Sequence, residues 1–152
     1  MDESTFVMVK PDGVQRGLIG TIVDRFETRG FKLTAASLRQ LERSLAEEHY
    51  AEHAGKPFFD DLIDFITAGP VFTMVWSGPD VTQQVRRMVG ATDPAAAAPG
   101  TIRGDFGVDL GRNVIHASDH EDAGANEREI ALFFGDRPPV SYTRIDEPWL
   151  VE

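Results

Sequence analysis

The apolar positions of this chain fall into two kinds of run. Phe6-Val7-Met8-Val9 and Val71-Phe72-Thr73-Met74-Val75-Trp76 are short and nearly unbroken, as in buried strands, and Pro11-Asp12-Gly13 closes the first with a turn. Ile19, Ile22, Val23 and Phe26 recur at helical spacing before Gly30, and Val81, Val85, Met88 and Val89 do so after the Ser77-Gly78-Pro79-Asp80 turn. Leu33, Ala35 and Ser37 alternate within residues 31–41, which predicts a second strand. Ser44 with Glu47 reads as a capping box opening a helix through Tyr50 and His53. Gly55-Lys56-Pro57 breaks that helix, and Phe58, Phe59, Leu62, Ile63 and Ile66 mark another that ends near Gly69-Pro70.

Residues 90–112 carry Gly, Pro and Asp without periodicity, and loops of that length are usually functional or disordered. Val114-Ile115 predicts a fourth strand, and Asn126 with Glu129 a capping box before Ile130, Leu132 and Phe133. The Pro-rich tail, residues 135–152, is expected to wrap the surface. The order βαββαβ implies an α+β fold, a ferredoxin-like sandwich with a four-stranded antiparallel sheet and helices packed on one face. No repeat or linker divides the chain, so residues 1–152 are expected to form one domain.

Twenty-five acidic against 15 basic residues give a net of −10, the wrong sign for a nucleic-acid partner. Only Lys10, Lys32 and Lys56 are lysines, and a lysine-poor, carboxylate-rich surface fits adaptation to salt, where screening mutes its self-repulsion. No apolar run approaches the roughly 18 residues of a membrane span, the acidic N-terminus is unlike a signal peptide, and no cysteine is present. A cytoplasmic location without membrane contact is the expectation.

Chemistry concentrates in Asn113-Val114-Ile115-His116-Ala117-Ser118-Asp119, where a strand delivers a histidine to a sheet rim. Such a histidine suits a nucleophile or a general base. Neither G-x-x-x-x-G-K-[ST] nor G-x-G-x-x-G occurs, and Asp105-Phe106-Gly107 lacks the companions that would make it a protein-kinase metal triplet. Lys10, Arg86 and Arg103, with the Thr92 hydroxyl, can form a polyphosphate site, because an arginine fork donates two hydrogen bonds to phosphate. Phe58 is a candidate base-stacking surface or a core residue beside Phe59.

Together these segments are familiar. Val9-Lys10-Pro11-Asp12-Gly13, Arg16-Gly17, Arg29-Gly30-Phe31, Lys56-Pro57-Phe58-Phe59, Gly69-Pro70-Val71, Gly90-Ala91-Thr92-Asp93-Pro94, the run from Pro99 to Gly107 and the histidine heptapeptide occur in one order. In that order the chain resembles the nucleoside diphosphate kinases from end to end.

The resemblance implies ping-pong transfer of the γ-phosphoryl of an NTP, mainly ATP, to NDPs or dNDPs through a phosphohistidine on His116. It implies that Lys10, Tyr50, Arg86, Thr92, Arg103 and Asn113 surround the phosphates and sugar. Lys10 and Asn113 would meet ribose hydroxyls, and Arg86, Thr92 and Arg103 phosphate oxygens. Phe58 would stack on the base with Leu62 and Leu110 beside it, and Ser118 and Glu129 (Glu127 the alternative) would orient the imidazole. Mg²⁺ would arrive on the nucleotide without a protein ligand. Self-association is expected, as a homohexamer or a tetramer.

The chain departs from the family's pattern in two places. Ala117 stands where glycine is usual, which argues against a strained nucleophile turn, and the stretch between His116 and the next helix is about two residues longer. The residues also admit two rival readings. One is a metal-dependent hydrolase with His116, Asp119, His120 and Glu121 as ligands; the other is a non-enzymatic ferredoxin-like binding module.

Overall fold

The computed structural model describes residues 2–152. Four strands form one antiparallel sheet: β1 (Glu3–Val9), β2 (Lys32–Arg39), β3 (Val71–Gly78) and β4 (Ile115–Ala117), in the spatial order β2-β3-β1-β4. β1 and β3 lie at the centre, and Phe6 through Val9 and Met74 through Trp76 are wholly buried.

Helices cover both faces of the sheet, not one. Val7, Val9, Met74 and Trp76 pack on one side with Ile22 and Phe26 of α2 (Ile19–Arg29), after the short α1 (Pro11–Gln15), and with Val81 and Val85 of the later helix Val81–Val89. Phe6, Met8, Val71 and Val75 point the other way. They meet Ala46 of α3 (Arg43–His49), Ile63 and Ile66 of α4 (Phe59–Ile66), and Phe133 and Phe134 of the last helix. The helix Val81–Val89 is α5, α6 is Ile102–Phe106, and the last is α7 (Ala125–Phe134). Two-sided cover is why β1 and β3 read as unbroken apolar runs; a sheet wet on one face alternates.

Pro11-Asp12-Gly13 forms the start of α1, with proline at its first position, where no N–H is needed. Neither capping box forms. α3 begins one residue before Ser44, with Glu42 as its cap and no side-chain bond. α7 is capped by Gly124 in the left-handed region, which leaves Asn126 free to bridge Thr5 Oγ1 at 2.9 Å and Thr82 Oγ1 at 2.6 Å.

The aperiodic stretch 90–112 is folded. It holds a 3₁₀ turn, Pro94–Ala96, and α6, whose N-terminus is capped by Thr101 accepting from Gly104 N–H at 3.0 Å. Asp105 accepts from Gly100 N–H and Arg25, which hold its carboxyl below the usual range, so this aspartate staples the loop to α2.

The tail covers the outer edge of β2 near its start. Val140 N–H donates to Thr34 O at 2.9 Å, Tyr142 Oη to Leu33 O at 2.8 Å, and Arg144 to Phe31 and Gly30 carbonyls. A single 3₁₀ turn, Glu147–Trp149, interrupts it. No helix among the described residues is long and apolar enough to cross a membrane.

Candidate active site

β4 is three residues long and pairs only with β1, setting Met8 opposite His116 and Val9 opposite Ile115. It therefore presents His116 beside the end of β1, where Lys10 follows. Three groups of residues converge there.

The first group fixes the histidine. His116 Nε2 lies 2.7 Å from Glu129 Oε1, and Ser118 Oγ donates to the same oxygen at 2.8 Å. The carboxylate oxygen is an acceptor, so Nε2 carries the proton and, in the neutral ring, Nδ1 holds the lone pair. Burial alone would raise the Glu129 carboxyl; the hydrogen bond and charge of His116, then His49 and Ser118, outweigh it and hold the carboxyl below the usual range. Glu127 lies on a different part of the surface, lining a hollow with Glu3 and Asp80.

The second group surrounds the backbone just before His116. Lys10 Nζ donates to Asn113 Oδ1 at 2.8 Å, and Asn113 Nδ2 donates to the Thr92 carbonyl at 3.1 Å. Arg103 is only 5% exposed and gives Nε to Asn113 O at 3.2 Å, Nη1 to Gly90 O and Nη2 to Ile115 O. Three of its five N–H bonds are thus committed to the chain. Burial, then Arg86, lowers Arg103 to about 10; burial, then Arg103, lowers Lys10 to about 8, with Asp12 opposing.

At the centre of this group Val114 has φ +74, a left-handed backbone on a β-branched residue. Ile115 N–H donates to Asn113 O at 2.8 Å, which closes a γ-turn of the rare positive-φ kind. Ala117 sits in β4 with an ordinary backbone. Ala117 thus has the ordinary backbone its methyl requires, and the strained turn that it argued against lies three residues earlier, at Val114, where no glycine marks it.

The third group borders the open space. A cavity of about 810 Å³ is lined by His116, Glu129, Arg86, Arg128, His49, Asp119 and Asp122, among others. Arg86 Nη1 donates to Ala117 O at 3.0 Å, which steadies it on the strand that carries His116. Thr92 is exposed at the loop start, and Tyr50 is buried with its hydroxyl unpartnered; burial, then Glu129, raises its phenol. Phe58 and Leu110 are exposed, and Leu62 is half-buried against the core cluster that holds Tyr50. Phe58 meets His53 at 5.4 Å between ring centres.

His49 is the site residue missed in the sequence. Its ring meets His116 edge-on, 4.9 Å between centroids at 89°, and also packs on Tyr50 and Phe133. Both ring nitrogens are buried without partners, and burial, then His116, pulls it down to about 3. The signal was its place three residues after buried Ala46, on the inward face of α3.

The metal-hydrolase ligands are not gathered. His116 spends Nε2 on Glu129, His120 and Glu121 stand 3.9 Å apart, and no group of three or more acidic or imidazole side chains among the described residues is placed to hold an ion.

Comparison with known proteins agrees with this geometry. The family model described as nucleoside diphosphate kinase matches residues 3–138. A nucleoside diphosphate kinase of Haloquadratum walsbyi is 68% identical over 99% of this chain and 95% of its own length, and that of Haloarcula marismortui is 67% identical over 99% and 97%. The solved structure of a halophilic nucleoside diphosphate kinase from Halobacterium salinarum, in complex with CDP, superposes with a TM-score of 0.97 at 63% identity, covering all of both chains.

Proposed function

The chain belongs to the nucleoside diphosphate kinase family and has that family's activity on nucleotides, and on that premise we propose that His116 Nδ1 carries the phosphoryl group. The lone pair on Nδ1 attacks the γ-phosphorus of a bound NTP. A nitrogen–phosphorus bond forms, the bond from phosphorus to the β,γ-bridging oxygen breaks, and its electron pair leaves on the NDP. A second NDP reverses the sequence with its own terminal oxygen. Nε2–H stays on Glu129 throughout, so the carboxylate offsets the positive charge that develops on the ring.

The surrounding groups position and neutralise. Arg86, Thr92 and the uncommitted N–H groups of Arg103 take phosphate oxygens, and Lys10 and Asn113 take ribose hydroxyls, Lys10 close to the moving phosphoryl. Tyr50, which ends α3 with its hydroxyl buried and unpartnered, turns that hydroxyl to the phosphates and sugar. Phe58, exposed at the start of α4, stacks on the base with Leu62 and Leu110 at its edges; a π face is shared by all bases, so it does not discriminate among them. Mg²⁺ enters as part of the substrate, on the phosphates. In this reading the chain is one catalytic domain that works in a salt-rich cytoplasm as a homohexamer or a tetramer, with contacts supplied by the 90–112 loop and the tail.

The observation that carries the reading is the Nε2–Glu129 contact, which leaves Nδ1 as the nucleophilic nitrogen. Incubation with γ-labelled ATP in molar KCl tests it. Label should be acid-labile and alkali-stable, pass to GDP, and be absent from His116→Ala. No label on the wild type at any salt, or label on His116→Ala, overturns it.

A further inference from the structure

Val114 is held in its positive-φ state from several sides. Its carbonyl accepts from Lys10 N–H at 2.9 Å, and its N–H donates to Asp12 Oδ2 at 3.0 Å. Arg103 holds the carbonyls of the residues before and after it. Among the described residues, Asp12 is the one side chain that bonds Val114 itself. Next to it, a Cβ on Gly13 would lie 2.9 Å from Val114 O and 2.6 Å from Val9 Cγ1, so the turn is seated directly on α1. The other Asp12 oxygen, Oδ1, is buried without a partner. A β-branched residue reaches positive φ only where its surroundings over-determine it, and such strain gathers at working sites.

We propose that Asp12 is a positioning residue for the reaction: its carboxylate clamps the Val114 N–H, keeps the turn in its strained form, and so sets where β4 begins and where His116 and Asn113 stand. The proposal rests on the reading of His116 as phosphoryl carrier. β4 has three residues and one neighbour, too little pairing to fix its own start. If Val114 relaxed to an ordinary extended backbone, the chain would change direction between Asn113 and Ile115. The two residues that face the sugar and the phosphorus would then move relative to each other.

A rescue experiment separates this role from general stabilisation. Asp12→Ala is made in the native background and together with Val114→Gly, since glycine adopts positive φ without penalty. The rate of single-turnover phosphorylation of His116 by ATP is measured in molar salt, with the thermal midpoint of each variant alongside. With Val114 in place, Asp12→Ala should slow phosphorylation roughly 10- to 100-fold, the scale of an ångström-level misplacement. In the Val114→Gly background the same change should cost less than about threefold. Equal losses in both backgrounds overturn the proposal while the wild-type phosphoenzyme still forms. Asp12→Asn keeps a carbonyl acceptor and guards against a misfolded alanine variant: it should stay within about threefold of wild type, and an equally large loss in folded Asp12→Asn also overturns the clamp.

Discussion

Glu129 and His116 meet through a single carboxylate oxygen, Oε1, which the Ser118 hydroxyl shares at 2.8 Å. One atom therefore sets the ring's rotation, its tautomer and its charge balance. Glu129→Gln keeps an acceptor of the same shape but removes the charge. It should lower the rate of His116 phosphorylation roughly 10- to 100-fold, the worth of one hydrogen bond to a charged group. Ser118→Ala should lower it less than tenfold, because the carboxylate keeps its main partner. Glu127→Gln should leave the rate within about twofold, since that carboxylate lies elsewhere. Stopped-time labelling of the three variants checks the order, and a Glu127 variant as slow as the Glu129 one would sink it.

Lys10 predicts a pH limb. Burial, then Arg103, brings its ammonium down to about 8, so it is charged below that pH and neutral above. kcat/KM for ATP should fall as pH rises through about 8, since this ratio reports groups of the free enzyme. Bound phosphate favours the ammonium, so the limb in kcat should lie higher. Measurement from pH 6 to 9.5 at constant ionic strength suffices. A flat profile in the wild type would contradict the assignment, and Lys10→Arg should abolish the limb even where it lowers the rate.

His49 predicts acid sensitivity of the fold. Its folded value of about 3 lies below the unfolded value of 6.5, so the unfolded chain takes up a proton that the folded chain refuses. Stability from this residue is complete above pH 6.5 and is lost as pH falls toward 3, by about 1.4 kcal/mol per pH unit. Many carboxylates add to the wild-type curve, so the comparison is with His49→Phe. Denaturant unfolding between pH 6.5 and 5 should show a shallower slope in the variant, and identical slopes would remove His49 from the account.

Twenty-five carboxylates on 152 residues predict a salt requirement. At low ionic strength they repel one another over about 10 Å or more, whereas at 1 M salt the range shrinks to about 3 Å. The thermal midpoint should rise continuously from 0.1 M to several molar KCl. A midpoint independent of salt would leave the scarcity of lysine without a physical role.

Much of this could be read in the chain because the central strands are buried on both sides, which leaves their apolar runs unbroken. Phe6 to Val9 and Val71 to Trp76 mark β1 and β3, and Ile22 and Phe26 mark the inner face of α2. The same feature misled the count of layers, since a buried run does not say how many helices cover it. α6 was hidden because five residues carry no period; it is held by Thr101 and by Asp105 reaching Arg25. The Val114 turn was hidden for a stronger reason. Valine argues for an extended strand, and the bonds that Val114 itself makes to hold it otherwise come from Asp12 and Lys10, about 100 residues earlier in the chain. His49 carried a local signal in its helical spacing, but its meaning depends on His116 arriving beside it.

The pairing of β1 with β4 reaches further than the chemistry. His116 is opposite Met8, so the two ends of the site are supplied by the first and last strands to leave the ribosome. Closing a loop of that length comes late and slowly, after the shorter-range pairing of β2 with β3 across α3 and α4 is made. A nascent chain that stops before residue 113 has Lys10, Phe58 and Arg86 but neither His116 nor the turn that precedes it. Nucleotide binding can therefore stabilise only the finished molecule, and by mass action it draws late folding intermediates toward the native state. Assembly of the active site and completion of the fold become a single event.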